Sequence, residues 1–316
     1  MELSTSLNIL NEPKAEYNYF RGRHNLNAIQ MCHDAGFRVI DWNAGDYCSM
    51  KQIQAYGDSD LTSEDWKENM TAMREKADSL GMRFNQCHSM MFNYFEENEH
   101  TQFLHQMSDR VLEGCSILGV PRIVYHPVVP PGLRELQDVN KCRQANVEYI
   151  RREAEKAGRY GIEIAVENMF LTHRKDGSLF WRYCSTPEEL IDLVDAIDME
   201  NVCVCLDVGH AHLMSEDFAE TIAKYGKRLR ALHIADNDKN SDQHLLPYHG
   251  TIAWETVMKA LSDNDYVGEF TLETHNAAIR MPSELRFEML KECYRVSKWL
   301  VERYDHYNKL KTDVKK

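Results

Sequence analysis

The sequence predicts a single (β/α)8 TIM barrel of the α/β class, and three observations carry that expectation. Short apolar runs alternate with amphipathic stretches along the whole chain, the pattern of parallel βαβ units. No Pro/Gly/Ser-rich linker, low-complexity block or long-period repeat interrupts them. Four of the apolar runs stop at a carboxylate or an imidazole. A chain of 316 residues could hold two ordinary domains or one large barrel. The unbroken alternation selects the barrel, over residues 1–308, followed by a charged tail, 309–316, that is expected to fray.

The elements follow in order. The strands are Leu3–Ile9, Arg38–Trp42, Arg83–His88, Arg122–His126, Ile162–Glu167, Val202–Asp207, Arg230–Ala235 and Gly268–Glu273. Helical periodicity follows each in turn, over 25–35, 62–80, 98–118, 135–158, 186–198, 216–226, 253–263 and 282–306. Thr62-Ser-Glu-Asp and Ser185-Thr-Pro-Glu-Glu read as N-caps, with Pro187 suited to a first turn. Gly81, Gly119 and Gly161 stand between a helix and a strand, where a left-handed C-cap belongs.

Net charge is −13. Phosphate backbones and anionic lipid surfaces call for a basic face, so nucleic-acid and membrane partners are disfavoured. No apolar stretch approaches the ~20 residues of a membrane span. The first residues lack the basic and apolar regions of a secretion signal, which predicts a cytoplasmic protein. The nine cysteines contain no zinc-type CxxC pair and read as reduced core thiols, with Cys203 and Cys205 on one face of a buried strand. No GxGxxG or Walker loop is present to cradle phosphate.

The four polar residues that end apolar runs are Glu167, Asp207, His233 and Glu273. Burying such groups is costly unless they are paired or bound to a metal. Four on successive strands read as a metal site at the C-terminal end of the barrel, where such folds place their chemistry. Three carboxylates and one imidazole suit Mn²⁺, Mg²⁺ or Co²⁺ with open positions, and Zn²⁺ less well. Such an ion can chelate adjacent sugar oxygens and acidify the C–H beside a carbonyl, and a carboxylate on each side of that carbon could move the proton. Asp41, Asn43, His88 and His126 end other strands on the same side. Two long aromatic loops, one with Tyr17, Tyr19 and Phe20 and one with Phe170, Phe180, Trp181 and Tyr183, read as lids or substrate walls. Arg174, Lys175 and Arg182 on the second loop are either solvated or set to meet an anionic group. Asp236 and Asp238 read as helix caps or loop solvation, Glu163 as a salt-bridge partner under the barrel and Glu269 as structural.

The motifs Ala165-Val-Glu-Asn168, Leu206-Asp-Val-Gly-His210, Leu232-His-Ile-Ala-Asp236 and Thr271-Leu-Glu273 resemble the sugar isomerase/epimerase superfamily of xylose isomerase-like TIM barrels. The stretch Asp242-Gln-His244-Leu-Leu-Pro-Tyr-His-Gly250-Thr-Ile-Ala-Trp254 is similar to the same superfamily. The resemblance implies that Glu167, Asp207, His233 and Glu273 bind one divalent metal, with Glu167 and Glu273 as the acid/base pair. His210, His88 and His126 match histidines that contact substrate. Ketose 3-epimerases of this type carry a second glutamate where this chain has His173. They often place an arginine past the metal histidine, where the nearest basic residue here is Lys239; the late glycine turn reads Tyr-His-Gly rather than Gly-Glu-Gly. His173 and Lys239 thereby become candidate substrate contacts.

A rival is the TIM-barrel apurinic endonuclease, a phosphodiesterase with a trinuclear zinc centre. His88, His126, Glu167, Asp207, His210, His233, Asp242, His244 and Glu273 are of compatible type and order for its ligands, although the acidic charge opposes a DNA partner. The sequence thus predicts a metal-dependent sugar isomerase or epimerase working through an enediolate on a small-molecule sugar. A dehydratase (lyase) on the same site is the nearest alternative. Barrels of this type often form homo-oligomers, and no sequence feature fixes that state here.

Overall fold

The computed structural model describes residues 1–10, 25–44, 50, 53, 58–133, 138–173, 179–279 and 281–314. The first aromatic loop (Tyr17, Tyr19, Phe20), Cys48, Arg174 and Lys175 lie outside them. Eight parallel strands make the barrel: β1 (Leu3–Ser6), β2 (Val39–Asn43), β3 (Arg83–His88), β4 (Arg122–Tyr125), β5 (Glu163–Glu167), β8 (Val202–Asp207), β9 (Leu229–His233) and β10 (Phe270–Leu272). Two further strands, β6 (Thr172–His173) and β7 (Leu179–Phe180), pair antiparallel in the loop after β5. The strand order is β10-β1-β2-β3-β4-β5-β8-β9. The ring closes where the Ile234 N–H donates to Thr271 O at 2.9 Å and the Glu273 N–H donates to Ile234 O at 3.0 Å.

The helices are α1 (Asn25–Ala35), α2 (Trp66–Ser79), α3 (Glu99–Leu118), α4 (Val139–Gly158), α5 (Pro187–Ile197), α6 (Val208–Leu213), α7 (Phe218–Tyr225), α8 (Trp254–Asp263), α9 (His275–Ile279) and α10 (Ser283–Val314). Thr186 caps α5 by accepting the Glu189 N–H at 3.3 Å, with Pro187 in the first turn as expected. Gly119 ends α3 at φ 71, a left-handed conformation that side chains resist.

Three expectations are corrected. The first strand stops at Ser6, because its ladder to β10 ends at Thr5 and its ladder to β2 at Ser6. Leu7–Leu10 instead curl into a buried 3₁₀ turn. Thr62 does not cap a helix: it receives the Ser59 N–H at 2.7 Å in a loop, and α2 starts at Trp66. The charged end is helical to Val314, and Lys311 donates to Ser262 O and Asp265 Oδ1, each at 2.6 Å.

Inside the barrel, Val124, Ala165, Cys203, Cys205 and Ala231 form a fully buried cluster of small side chains. The eight described cysteines are all buried and unpaired. Polar bonds cross the same interior: Ser4 Oγ donates to Asn85 Oδ1 at 2.8 Å, and Asn85 Nδ2 donates to Thr271 Oγ1 at 2.9 Å. Below the strands, Arg122 donates to Glu163 at 2.7 Å and Arg83 to Glu269 at 2.8 Å. Both glutamates are structural, as read from sequence. Among the described residues, no helix is long and apolar enough to cross a membrane.

Candidate metal centre and active site

Parallel strands end together on one face, so the residues at their C-terminal ends meet. Glu167 ends β5, Asp207 ends β8, His233 ends β9, and Glu273 follows β10 directly. All four are buried, and one donor atom from each lies within 4.8 Å of the others.

Local structure aims these groups. Asp207 is the N-cap of α6: its Oδ1 accepts the His210 N–H at 2.7 Å, while its Oδ2 has no hydrogen-bond partner. The Asn168 amide clamps the ends of β5 and β8, accepting the Asp207 N–H at 2.7 Å and donating to Asp207 O at 3.0 Å. His233 Nδ1 lies 3.1 Å from Glu167 Oε2 and 3.5 Å from Glu273 Oε2. Neither His233 nitrogen is in hydrogen-bond alignment with a described residue. Orphaned buried donors and acceptors of this kind are costly. A divalent cation would satisfy them together, and the donor set fits one.

The additional candidates surround this centre. Backbone carbonyls accept the Nδ1–H of His88 (Ser89 O, 2.8 Å), His210 (Asn168 O, 2.8 Å) and His244 (Glu273 O, 3.0 Å), leaving each Nε2 for other partners. His126 Nε2 lies 3.1 Å from both His88 Nε2 and Glu167 Oε2. Asp242 Oδ2 is 3.0 Å from His244 Nε2 and 3.5 Å from His210 Nε2. All nine residues of the multinuclear alternative therefore converge on one end of the barrel.

Above them opens a cavity of about 530 Å³, lined by most of these groups together with Asn8, Asn43, Met91, Arg182 and His275. Asn8, carried there by a 3₁₀ turn, had no signal in the sequence, whereas His275, two residues past Glu273 on the short helix α9, stands at the pocket edge where its place in the sequence puts it. Lys239 is exposed on the loop after β9 and is not among the lining residues. His173 belongs to β6, and its side chain lies outside the described residues.

The loop after β9, which carries Asp242 and His244, is built around Asp236. That buried carboxylate accepts the Tyr248 N–H at 2.9 Å, the Ile252 N–H at 3.2 Å and the Trp254 indole N–H at 2.9 Å. A Cβ at Gly250 would run into this carboxylate and the Asn237 carbonyl, so the backbone passes there only as glycine. Asp236→Ala is expected to cost about 3–5 kcal/mol by leaving buried donors unpaired, read from the urea midpoint. A loss under about 1 kcal/mol would mean the loop holds its shape without it.

Charge in the site is strongly coupled. Burial opposes ionisation of Glu167, but His233 and His126 hold its carboxyl well below the usual range. Burial likewise opposes charging of His210 and His244. Asp207 and Asp242 nevertheless raise His210 to about 9, and Glu273 and Asp242 raise His244 to about 10. Both values exceed the unfolded value of about 6.5. Their stabilisation is therefore complete below about pH 6.5 and is lost as pH rises through the folded values. His88, lowered to about 4 by burial and by His126, acts only at lower pH. The metal-free protein should melt at falling temperature from about pH 6.5 to 10, and His244→Gln should flatten that slope. A flat profile in the unsubstituted protein would refute the coupling.

Residues 6–293 match the sequence model of a family described as xylose isomerase-like TIM barrel. The D-psicose 3-epimerase of Enterocloster bolteae is 34% identical over 89 residues, 28% of each chain. The inosose isomerase of Bacillus licheniformis is 22% identical over 224 residues, covering 66% of this chain and 76% of that protein. Among solved structures, a D-tagatose 3-epimerase-like protein superposes with a TM-score of 0.70 at 20% identity, covering 97% of this chain and 99% of its own. This last likeness establishes the fold.

Proposed function

This chain belongs to the xylose isomerase-like TIM-barrel family, and from that premise we propose that it is a metal-dependent sugar isomerase or epimerase. Its named relatives, an epimerase and an isomerase, support an isomerase-class enzyme acting on a small sugar. One observation carries the reading furthest: two buried glutamates, Glu167 and Glu273, both approach His233, with Asp207 in the same cluster under an open polar cavity.

Glu167, Asp207, His233 and Glu273 would hold a divalent ion, which when bound would supply Lewis acidity to a ketone and its neighbouring hydroxyl. Of the two glutamates, one takes the proton from the carbon beside the carbonyl, giving an enediolate, and the other returns it. Return on the opposite face of the same carbon gives an epimer; return at the former carbonyl carbon, with the hydroxyl proton passing to the former carbonyl oxygen, gives an isomer. His88, His126 and His210 orient the sugar hydroxyls. Manganese, magnesium or cobalt suits three carboxylates and an imidazole better than zinc does.

The test is exchange of substrate C–H with solvent deuterium across a panel of ketohexoses. Exchange that stops on chelation supports the reading, and exchange that survives chelation overturns its metal dependence. An ultraviolet-absorbing enone product without exchange back to sugar would instead identify a dehydratase. The convergence of nine metal-binding side chains favours one second reading, a multinuclear phosphodiesterase, which metal stoichiometry separates.

A further inference from the structure

The loop after β5 brings a cation to the mouth of the barrel. The cavity over the strand ends, about 530 Å³, and a second of about 300 Å³ share Met91, His126 and Arg182 as common wall. Among the described residues, Arg182 is the only lysine or arginine that lines either one. Its guanidinium packs over the Phe170 ring, 4.7 Å from the centroid, and Phe170 in turn lies 4.5 Å from the His210 ring. The chain behind it is pinned, because the Met169 N–H donates to Cys184 O at 2.8 Å. Cys184 holds φ 66 there, a conformation that side chains resist and that clusters at functional sites.

The Arg182 guanidinium has no hydrogen-bond or ion-pair partner among the described residues. Every other buried or half-buried arginine among them donates to a carboxylate or a carbonyl. Burial works against the charge on Arg182, and an unpaired cation out of water is costly. A guanidinium nevertheless stays protonated. The carboxylates that favour its charge, Asp242 and Glu167, are already engaged by imidazoles, Asp242 by His244 and His210 and Glu167 by His126 and His233. The missing acceptor must then come from what enters the cavity. A guanidinium fork matches a carboxylate through two parallel bonds. A phosphate monoester brings up to about two charges and three acceptor oxygens, more than one guanidinium satisfies.

We propose that the substrate is a sugar acid, a keto sugar whose terminal carbon is a carboxylate, and that Arg182 holds that carboxylate. The acid stands at the far end of the carbon chain from the ketone, so the carbonyl and the C–H beside it remain free to react. The volume of about 530 Å³ lies within the ~300–1,000 Å³ of small-molecule sites. The ketone end rests on the isomerase or epimerase reading, and the carboxylate end does not.

Isothermal titration of the metal-loaded protein tests the contact without requiring turnover. The probes are D-fructose, D-fructuronate and D-fructose 6-phosphate, with the matching tagatose series. In at least one series the uronate should bind about 10–100-fold more tightly than its parent ketose. That preference should vanish in Arg182→Met and in Arg182→Gln, each checked for a cooperative melt. Equal affinity for uronate and parent, no binding of any probe, or a preference that survives both substitutions would overturn the proposal. Tighter binding of the 6-phosphates than of the uronates would overturn it in favour of a phosphate. Deuterium exchange on neutral ketoses without a uronate preference would remove the carboxylate contact and keep the reaction. An Arg182-dependent uronate preference with no exchange on any ketose would do the reverse.

Discussion

Glu273→Gln should lower turnover by about 10²–10⁴-fold while leaving a cooperatively folding protein. The substitution keeps the side-chain volume, so packing behind β10 is undisturbed, but an amide cannot accept the proton. Burial opposes the charge on Glu273, and His233 and His244 still hold its carboxyl below the ordinary value. It is therefore ionised across the neutral range and competent as a base. Turnover and metal content measured on one preparation separate its two roles. Lost turnover with metal retained assigns the proton transfer, and lost metal assigns ligation as well. Undiminished turnover would remove Glu273 from the chemistry. Glu167→Gln should behave alike, because Glu167 faces the same imidazole.

Elemental analysis of protein purified without added metal should find about one divalent ion per chain, the number that a single four-residue set holds. Chelation should then lower the melting temperature, since an ion at a hundred times its dissociation constant contributes about 2.7 kcal/mol. Restoring manganese, cobalt or magnesium should return both stability and exchange activity. About three zinc ions per chain would transfer the site to phosphodiester chemistry, and abasic DNA would become the substrate to try. A melting temperature indifferent to chelator and metal alike would mean that the buried cluster is not a metal centre. The unpartnered Asp207 Oδ2 and His233 Nε2, both buried, weigh against that outcome.

Much of this site was legible because a strand end is a local signal. Glu167, Asp207, His233 and Glu273 each interrupt an apolar run, and a parallel barrel brings such interruptions to one face whatever the loops do. The loops were less legible. Asn8 reads as strand until β1 runs out of partners and turns. Lys239 is only the basic residue nearest the position where the family often has arginine, and it stands at φ 70 on an exposed turn. Spacing along a loop does not determine direction.

The sequence by itself determined the alternation of strands and helices, the barrel, the strand-end acids and histidines, and the cap at Thr186. Each depends on local periodicity or on a single residue type against its neighbours. Only the tertiary structure decided that all nine candidate ligands converge and that carbonyls from three separate segments direct the imidazoles. It also decided that two cavities share a wall at Arg182. Those are distances between segments far apart in the chain, set by how the strands register around the ring and how each loop folds back over it.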